Sequence, residues 1–156
     1  MVDQNCAYCV EGDLVAKFGI KICELETSKV YLFKEQSHPG RCIVAHKKHV
    51  GDMNELTAEE RAAYFEDVAR VARAIMAAFH PDKVNYGAYG DTGHHLHFHL
   101  CPKYKDEFEW GGVFLMNPDK KYLTDAEYAE MIEKIKEHLQ LSLIHISEPT
   151  RLRCIS

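Results

Sequence analysis

The chain has 156 residues, of which 46% are hydrophobic and 28% charged, with a formal net charge of −5 at neutral pH. This size and composition predict one folded domain with a hydrophobic core. The negative charge argues against a general nucleic-acid-binding protein, although a small phosphorylated substrate needs only a few local cations. No apolar run approaches the roughly 20 residues that cross a bilayer, and Met1–Asn5 lack signal-peptide features. We therefore expect a cytoplasmic protein with no membrane partner.

Two cysteines near the N-terminus, Cys6 and Cys9, have the Cys-x-x-Cys spacing at which two thiolates chelate one metal ion. In a cytosolic chain this spacing favours a metal or thiolate site over disulfides. A closed tetrahedral site needs two further ligands. The candidates are His49 and one of the histidines at positions 95, 97 and 99.

Short runs of apolar and β-branched residues predict the strands of the chain. After an alternating stretch over residues 18–23, the strands are expected at residues 29–33, 41–45, 84–89 and 95–101, with a turn over 35–40. Most of these strands follow one another directly, and helices are few. This order indicates an α+β fold with an antiparallel sheet.

Two capping boxes mark where helices are expected to begin. Thr57 precedes Glu60, and Thr124 precedes Glu127, at the three-residue spacing of reciprocal side-chain caps. After each box, apolar residues recur at intervals of three and four, as one buried helical face requires. These faces comprise Tyr64, Val68, Val71, Ala72, Ile75 and Phe79 in the first helix, and Tyr128, Met131, Ile132, Ile135 and Leu139 in the second.

The last sixteen residues do not continue this pattern. Leu141–Ser156 resembles a translated DNA-library adapter, read in frame after a natural end near Leu139 or Gln140. The alternative is a real, irregular C-terminal tail. Because adapter-derived segments are excluded from fold reasoning, we assign one domain to residues 1–140 and interpret residues 141–156 as a non-native tail.

Three histidines alternate along the strand expected at residues 95–101. Successive side chains of a strand point to opposite faces, so His95, His97 and His99 share one face and the apolar residues between them share the other. One face can therefore pack on a core, while the other presents three imidazoles about 7 Å apart. Imidazole serves as a nucleophile, a proton carrier or a metal ligand near neutral pH, and the pattern alone does not distinguish these roles.

The segment from His95 to Cys101 resembles the signature of the histidine triad family, in which three histidines alternate with apolar residues. Residues 39–49 resemble a second stretch of that family, Pro-Gly-His followed by an apolar strand and Lys-Lys-His, and Asn85-x-Gly87 also fits. The resemblance covers roughly residues 6–139. It implies an antiparallel five-stranded sheet with two helices, usually paired into a homodimer.

The same resemblance implies the chemistry. It suggests nucleotidyl hydrolysis or transfer at an α-phosphorus, through a nucleotide held covalently on the middle histidine, here His97. The substrate would be a small nucleotide conjugate, such as a phosphoramidate or a dinucleoside polyphosphate, and not a nucleic acid polymer. His99 would lie beside the phosphoryl oxygens or the leaving group. Zinc-carrying members imply a structural Zn²⁺ ion held by Cys6, Cys9, His49 and His95.

Further candidates for contact with the substrate are Asn85, Arg41, Gly93 and Trp110. Arg41 occupies the place where many members of the family have a further histidine. An arginine can bind phosphate bidentately but does not relay protons, and the alternative is a surface arginine. Phe33 stands where a ribose-binding aspartate is common, and Glu35 is a neighbouring candidate to replace that aspartate.

Three functions are therefore compared. The first is a zinc-supported nucleotidyl hydrolase or transferase. The second is a nucleotide-binding regulatory module with little turnover, which the departures at Phe33 and Arg41 support. The third is a metallohydrolase in which the three alternating histidines hold a catalytic metal, and it predicts a second metal ion in each chain.

Overall fold

The computed structural model of the chain describes residues 3–146, with side chains described as far as residue 141. Within this range the strands form one five-stranded antiparallel sheet in the order β1-β2-β3-β5-β4. The strands are β1 Gly19–Glu24, β2 Ser28–Phe33, β3 Cys42–His46, β4 Lys83–Gly87 and β5 His97–Lys103. The predicted α+β fold is confirmed, as is the five-stranded antiparallel sheet that the resemblance implied.

Two long helices, α3 (Ala58–Phe79) and α4 (Asp125–Ile146), pack on each other and on one face of the sheet. Both capping boxes form, because the Thr57 and Thr124 hydroxyls accept hydrogen bonds from the backbone three residues later. The sequence did not predict three short elements, which are α1 Ala7–Val10, α2 Asp13–Ala16 and a 3₁₀ turn at Met53–Glu55. In residues 3–146, none of the helices has both the length and the apolarity needed to span a bilayer.

The two faces of the sheet carry different clusters of buried side chains. Phe98 and Leu100 belong to the larger cluster, which includes the apolar faces of α3 and α4. The smaller cluster lies on the opposite face and is covered by α1 and α2; it comprises Tyr8, Val15, Tyr31, Phe33, Ile43 and Ala45. Because side chains alternate along β5, His97 and His99 lie on the side of this smaller cluster, as predicted.

The proposed domain boundary after residue 140 lies within α4, which continues to Ile146. Residues 147–156 lie outside the described part of the chain. The interpretation of residues 141–156 as a non-native tail therefore stays a prediction.

A buried carboxylate ties α3 to the turn between β1 and β2. Asp67 accepts hydrogen bonds from the backbone N–H and the hydroxyl of Thr27, at 2.9 and 2.8 Å, and from the hydroxyl of Ser28 at 2.8 Å. The backbone N–H of Lys47 in turn donates to the carbonyl of Thr27. This network fixes the β1–β2 turn against the helix that supports the central strands.

Replacing Asp67 should destabilise the fold, because Asp67→Ala leaves one buried donor of Ser28 and two part-buried donors of Thr27 without their acceptor. We expect the free energy of unfolding to fall by roughly 3 kcal/mol. The matched control is Glu66→Ala, at an exposed position on the same helix, for which we expect a change within about 0.5 kcal/mol. Urea denaturation measures both, and equal stabilities of the two variants would contradict the proposed role of Asp67.

Candidate active site and metal centre

His97 opens β5 and is oriented by the backbone of its own segment. Its Nδ1 lies 2.7 Å from the carbonyl oxygen of His95. Because a carbonyl only accepts hydrogen bonds, Nδ1 carries the proton and Nε2 keeps a lone pair. No described residue lies within hydrogen-bond distance of Nε2. The side chain therefore presents one unprotonated nitrogen.

A pocket of about 100 Å³ opens beside His97. Its walls come from three segments: the 3₁₀ region before α3, the residues that follow β4, and the start of the triad strand. The lining residues are Gly51, Asp52, Met53, Ala88, Tyr89, Gly90, His95, Leu96 and His97. A small reactant could therefore reach His97 from this side.

Burial keeps the three alternating histidines neutral at pH 7. It lowers the pKa of His95 to about 4 and, in the same direction, the pKa of His97. For His99, burial and then the neighbouring Arg41 cation lower the pKa to about 2. Neutral imidazoles can donate a lone pair to phosphorus or to a metal ion, whereas imidazolium cations cannot.

Arg41 is fully buried, so the alternative of a surface arginine is wrong. Its Nη1 donates to the carbonyl of Leu115 at 3.0 Å, and its Nη2 lies 3.2 Å from Nδ1 of His99. The guanidinium carbon lies 4.3 Å from the ring centre of Phe33 and 4.9 Å from that of Phe114. Arg41 therefore contacts the Nδ1 edge of the His99 ring from inside the protein.

None of the four residues expected to contact substrate lines the pocket at His97. Asn85 is half-buried and lines a separate pocket of about 280 Å³ at the edge of the sheet, next to β4. Gly93 is exposed, with no atom near the position that a Cβ would occupy. Trp110 is 42% exposed, in the loop after β5. Their roles as substrate contacts remain predictions, and Arg41 reaches the triad only through His99.

The carboxylate of Glu35 binds loop backbone and does not line the pocket at His97. Its Oε1 accepts hydrogen bonds from the backbone N–H groups of Ser37, Lys120 and Lys121. Phe33, at the place of the expected aspartate, packs edge-on against His99 with ring centres 5.5 Å apart. Neither residue supplies a carboxylate to a ribose.

Four side chains converge into one potential metal site, which comprises Cys6, Cys9, His49 and His95. Nδ1 of His95 lies 3.3 Å from Cys6 Sγ and 3.3 Å from Nδ1 of His49, and Cys9 Sγ lies 3.3 Å from Nδ1 of His49. With Zn–S bonds of about 2.3 Å and Zn–N bonds of about 2.0 Å, neighbouring ligands of a tetrahedral ion lie about 3.3–3.8 Å apart. The donor set and its spacing fit a closed four-ligand zinc site.

The outer nitrogens of the two histidines of this cluster have different neighbours. His95 Nε2 donates to the carbonyl of His46 at 2.7 Å, so its Nδ1 turns a lone pair towards the cysteines. His49 Nε2 faces the carboxylate of Asp3 at 3.9 Å. The hydrogen bond of His95 is typical of histidines that bind metal through the opposite nitrogen.

Tyr8 was not singled out by the sequence, although it lies between the two cysteines. Its buried ring lies 5.1 Å from the ring of His95 and 5.0 Å from that of His97, measured between ring centres. The helical turn that carries it is fixed to β2, because Glu11 accepts hydrogen bonds from Tyr31 and Lys29. Tyr8 therefore packs the cysteine turn directly against the triad.

Comparison with known proteins gives consistent matches. The family model described as HIT domain matches residues 19–106. Protein hit of Bacillus subtilis is 29% identical over 123 residues, covering 74% of this chain and 83% of that protein. Adenosine 5'-monophosphoramidase hnt1 of Schizosaccharomyces pombe is 28% identical over 141 residues, covering 85% and 99%. A Zn-bound histidine triad family protein from Mycobacterium smegmatis superimposes with a TM-score of 0.63 at 23% identity, covering 89% and 96%.

The geometry of the cysteine and histidine cluster predicts one zinc ion in each chain. We expect wild type to retain one equivalent through gel filtration, as measured by plasma mass spectrometry. The double variant Cys6→Ser with Cys9→Ser should retain none and melt at a lower temperature, because bound metal contributes folding free energy.

The control for this measurement is Cys23→Ser, which changes a cysteine of β1 outside the cluster and should keep the metal. Wild type without metal, and with both N-terminal cysteines reactive to a thiol probe, would contradict the site. A second equivalent of metal that is lost on mild chelation together with activity would instead favour the metallohydrolase.

Proposed function

Because this chain belongs to the histidine triad family, we propose that it hydrolyses a nucleotide conjugate at its α-phosphorus with His97 as the nucleophile. The proposal is carried by one observation, the hydrogen bond from His97 Nδ1 to the carbonyl of His95, which leaves Nε2 unprotonated beside a pocket. The relative from Schizosaccharomyces pombe is named an adenosine 5'-monophosphoramidase. Adenosine 5'-monophosphoramidate is therefore the first substrate to test.

The reaction proceeds in two displacements at phosphorus. In the first, the Nε2 lone pair of His97 forms an N–P bond while the bond from phosphorus to the leaving group breaks, and the leaving group departs with the electron pair. In the second, water attacks the same phosphorus, loses a proton to solvent and releases the nucleoside monophosphate from His97. Dividing a difficult displacement through a covalent intermediate is nucleophilic catalysis. If an acceptor other than water attacks the same intermediate, the reaction is nucleotidyl transfer.

His99 is the second triad residue expected to meet the reacting group. Its ring centre lies 5.2 Å from that of His97, on the same face of β5. In this position it can donate a hydrogen bond to a phosphoryl oxygen or to the leaving atom. Such donors stabilise the charge that develops at the transition state.

We propose that the metal at Cys6, Cys9, His49 and His95 is a structural zinc ion. The cluster supplies four protein ligands, so a tetrahedral ion keeps no position for a reacting water. When bound, the ion supplies cross-links between the N-terminal turn, the end of β3 and the start of the triad strand. The chain's own contribution is to hold His95, whose carbonyl in turn orients His97.

A nucleotide-binding regulatory module with little turnover is the second candidate. It is favoured by Phe33 and Arg41, which pack on each other inside the protein, so the position of the expected aspartate holds no carboxylate for a ribose and Arg41 is not free to bind phosphate. Such a protein would bind nucleotide through the same pocket but release product slowly.

The test of the hydrolase is the intact mass of the protein during brief incubation with adenosine 5'-monophosphoramidate. Wild type should gain one acid-labile adenylyl group and release adenosine monophosphate. His97→Gly should form no adduct, and its kcat/KM should fall by at least about a thousandfold, because it lacks the nucleophile.

The matched control is His94→Gly, which removes an exposed histidine outside the triad and should keep the wild-type rate. Turnover in His97→Gly at the wild-type rate would exclude His97 as the nucleophile. Nucleotide binding without adduct or turnover in wild type would favour the regulatory module.

We also propose that two copies pair through β4. Among the described strands, β4 lies at one end of the sheet and pairs only with β5. Apolar side chains beside it are exposed, with Tyr86 at 51% and Val113 at 84%. An unpaired strand edge flanked by exposed apolar groups is a surface that association would cover.

Sedimentation equilibrium should therefore give twice the chain mass for wild type. Tyr86→Lys should shift the protein to the monomer, because it places a charge in the proposed interface. Phe65→Lys is the control, since Phe65 is an exposed aromatic on α3 and not on β4. A monomeric wild type, or a Tyr86→Lys variant that stays dimeric, would contradict pairing through this edge.

A further inference from the structure

We propose that Arg41 is a positioning residue, which locks His99 in the tautomer with a protonated Nε2 and makes it a fixed hydrogen-bond donor. The consequence for catalysis rests on the proposed function, but the tautomer of His99 is independent of that function. The sequence suggested that Arg41 contacts phosphate itself. Its contacts instead place it against Nδ1 of His99.

The tautomer follows from what a guanidinium can do. Arginine has five N–H donors, no acceptor and a permanent charge. Its Nη2 lies 3.2 Å from Nδ1 of His99, so Nδ1 must accept and carry no proton. A neutral imidazole then has its single proton on Nε2. An imidazolium would place two N–H groups and two positive charges against each other in a buried site.

Arg41 is held rigidly enough to impose this choice. Its Nη1 is anchored on the carbonyl of Leu115, and its plane is packed between the rings of Phe33 and Phe114. Its Nε is buried with no partner among the described residues. The guanidinium is therefore held by the contacts of its two Nη atoms.

No carboxylate competes with His99 for the guanidinium. The carboxylates whose charge acts on Arg41 are those of Glu35 and Glu109. Glu35 accepts from the backbone at residues 37, 120 and 121, and Glu109 is paired with His38 at 2.7 Å. No ion pair of Arg41 is found within residues 3–141. Its charge therefore acts on His99: burial first, and then the charges of Arg41 and the adjacent His97, lower the pKa of His99 to about 2.

A locked His99 restricts the substrates that the site can cleave. Its Nε2–H can donate a hydrogen bond to phosphoryl oxygen or to the leaving atom, but a neutral imidazole does not give up its remaining proton at neutral pH. The bond between phosphorus and the leaving group must then break without a proton from the triad. Preferred substrates are conjugates whose leaving group is weakly basic or already protonated, such as the ammonium form of a phosphoramidate.

The tautomer can be read directly by ¹⁵N NMR of the full-length protein with labelled histidine rings, with His99 assigned by its loss in His99→Gln. In wild type, Nδ1 of His99 should show the shift of an unprotonated nitrogen and Nε2 that of a protonated one, unchanged between about pH 5 and 9. In Arg41→Met, which keeps an apolar side chain between the two aromatic rings, His99 should exchange tautomers and titrate within that range.

The matched control is Arg73→Met, which changes an exposed arginine of α3 and should leave the His99 signals as in wild type. A protonated Nδ1 in wild type, or titration of its His99 between about pH 5 and 9, overturns the proposal. This result is measured on wild type alone, so the proposal can be tested even if Arg41→Met does not fold.

The catalytic consequence is tested with aryl esters of adenosine 5'-phosphate graded by leaving-group basicity. Wild-type kcat/KM should fall at least about tenfold from the nitrophenyl to the phenyl ester. In Arg41→Met the difference in kcat/KM between the two esters should become smaller at low pH, because His99 of this variant can act as an acid. Equal rates for both esters in wild type overturn the restriction on leaving groups. If no ester is turned over but His99 shows the expected tautomer, the proposed function is contradicted. The assignment of Arg41 as a positioning residue is then still supported.

Discussion

His95 connects the candidate metal centre to the candidate nucleophile through three of its polar atoms. Its Nε2 donates to the carbonyl of His46, its Nδ1 faces the two cysteines and His49, and its carbonyl accepts the Nδ1 proton of His97. Each contact fixes the next, because a tautomer chosen at one nitrogen determines what the other nitrogen can bind. The orientation of His97 therefore depends on His95, which also belongs to the potential metal site.

The other end of the triad is set by a buried cation. Removing a charged side chain from water is costly, and Arg41 offsets part of this cost through the contacts of its two Nη atoms with His99 and a backbone carbonyl and through two aromatic rings. The loop that supplies this carbonyl is itself fixed by Lys103, which is buried and donates to the carbonyls of Glu109 and Gly112. Lys103 is thus a structural residue.

The two constraints give the triad an uneven division of roles. His95 is turned towards the metal cluster, His97 presents a lone pair beside a pocket, and His99 is held by a guanidinium. Burial removes the positive charge from all three imidazoles, so their differences come from hydrogen-bond partners and not from protonation at neutral pH. This distinction explains why three identical side chains on one strand face need not do the same chemistry.

The sequence by itself determined what depends on local periodicity and spacing. The alternation of β5 places His97 and His99 on one face, and the boxes at Thr57 and Thr124 start the long helices, because both patterns involve neighbours within a few residues. Tertiary structure alone decided the environment of Arg41, whose partners lie 58 and 74 positions along the chain. It also decided which residues line the pocket, since such contacts depend on how distant loops pack and leave no periodic signal in sequence.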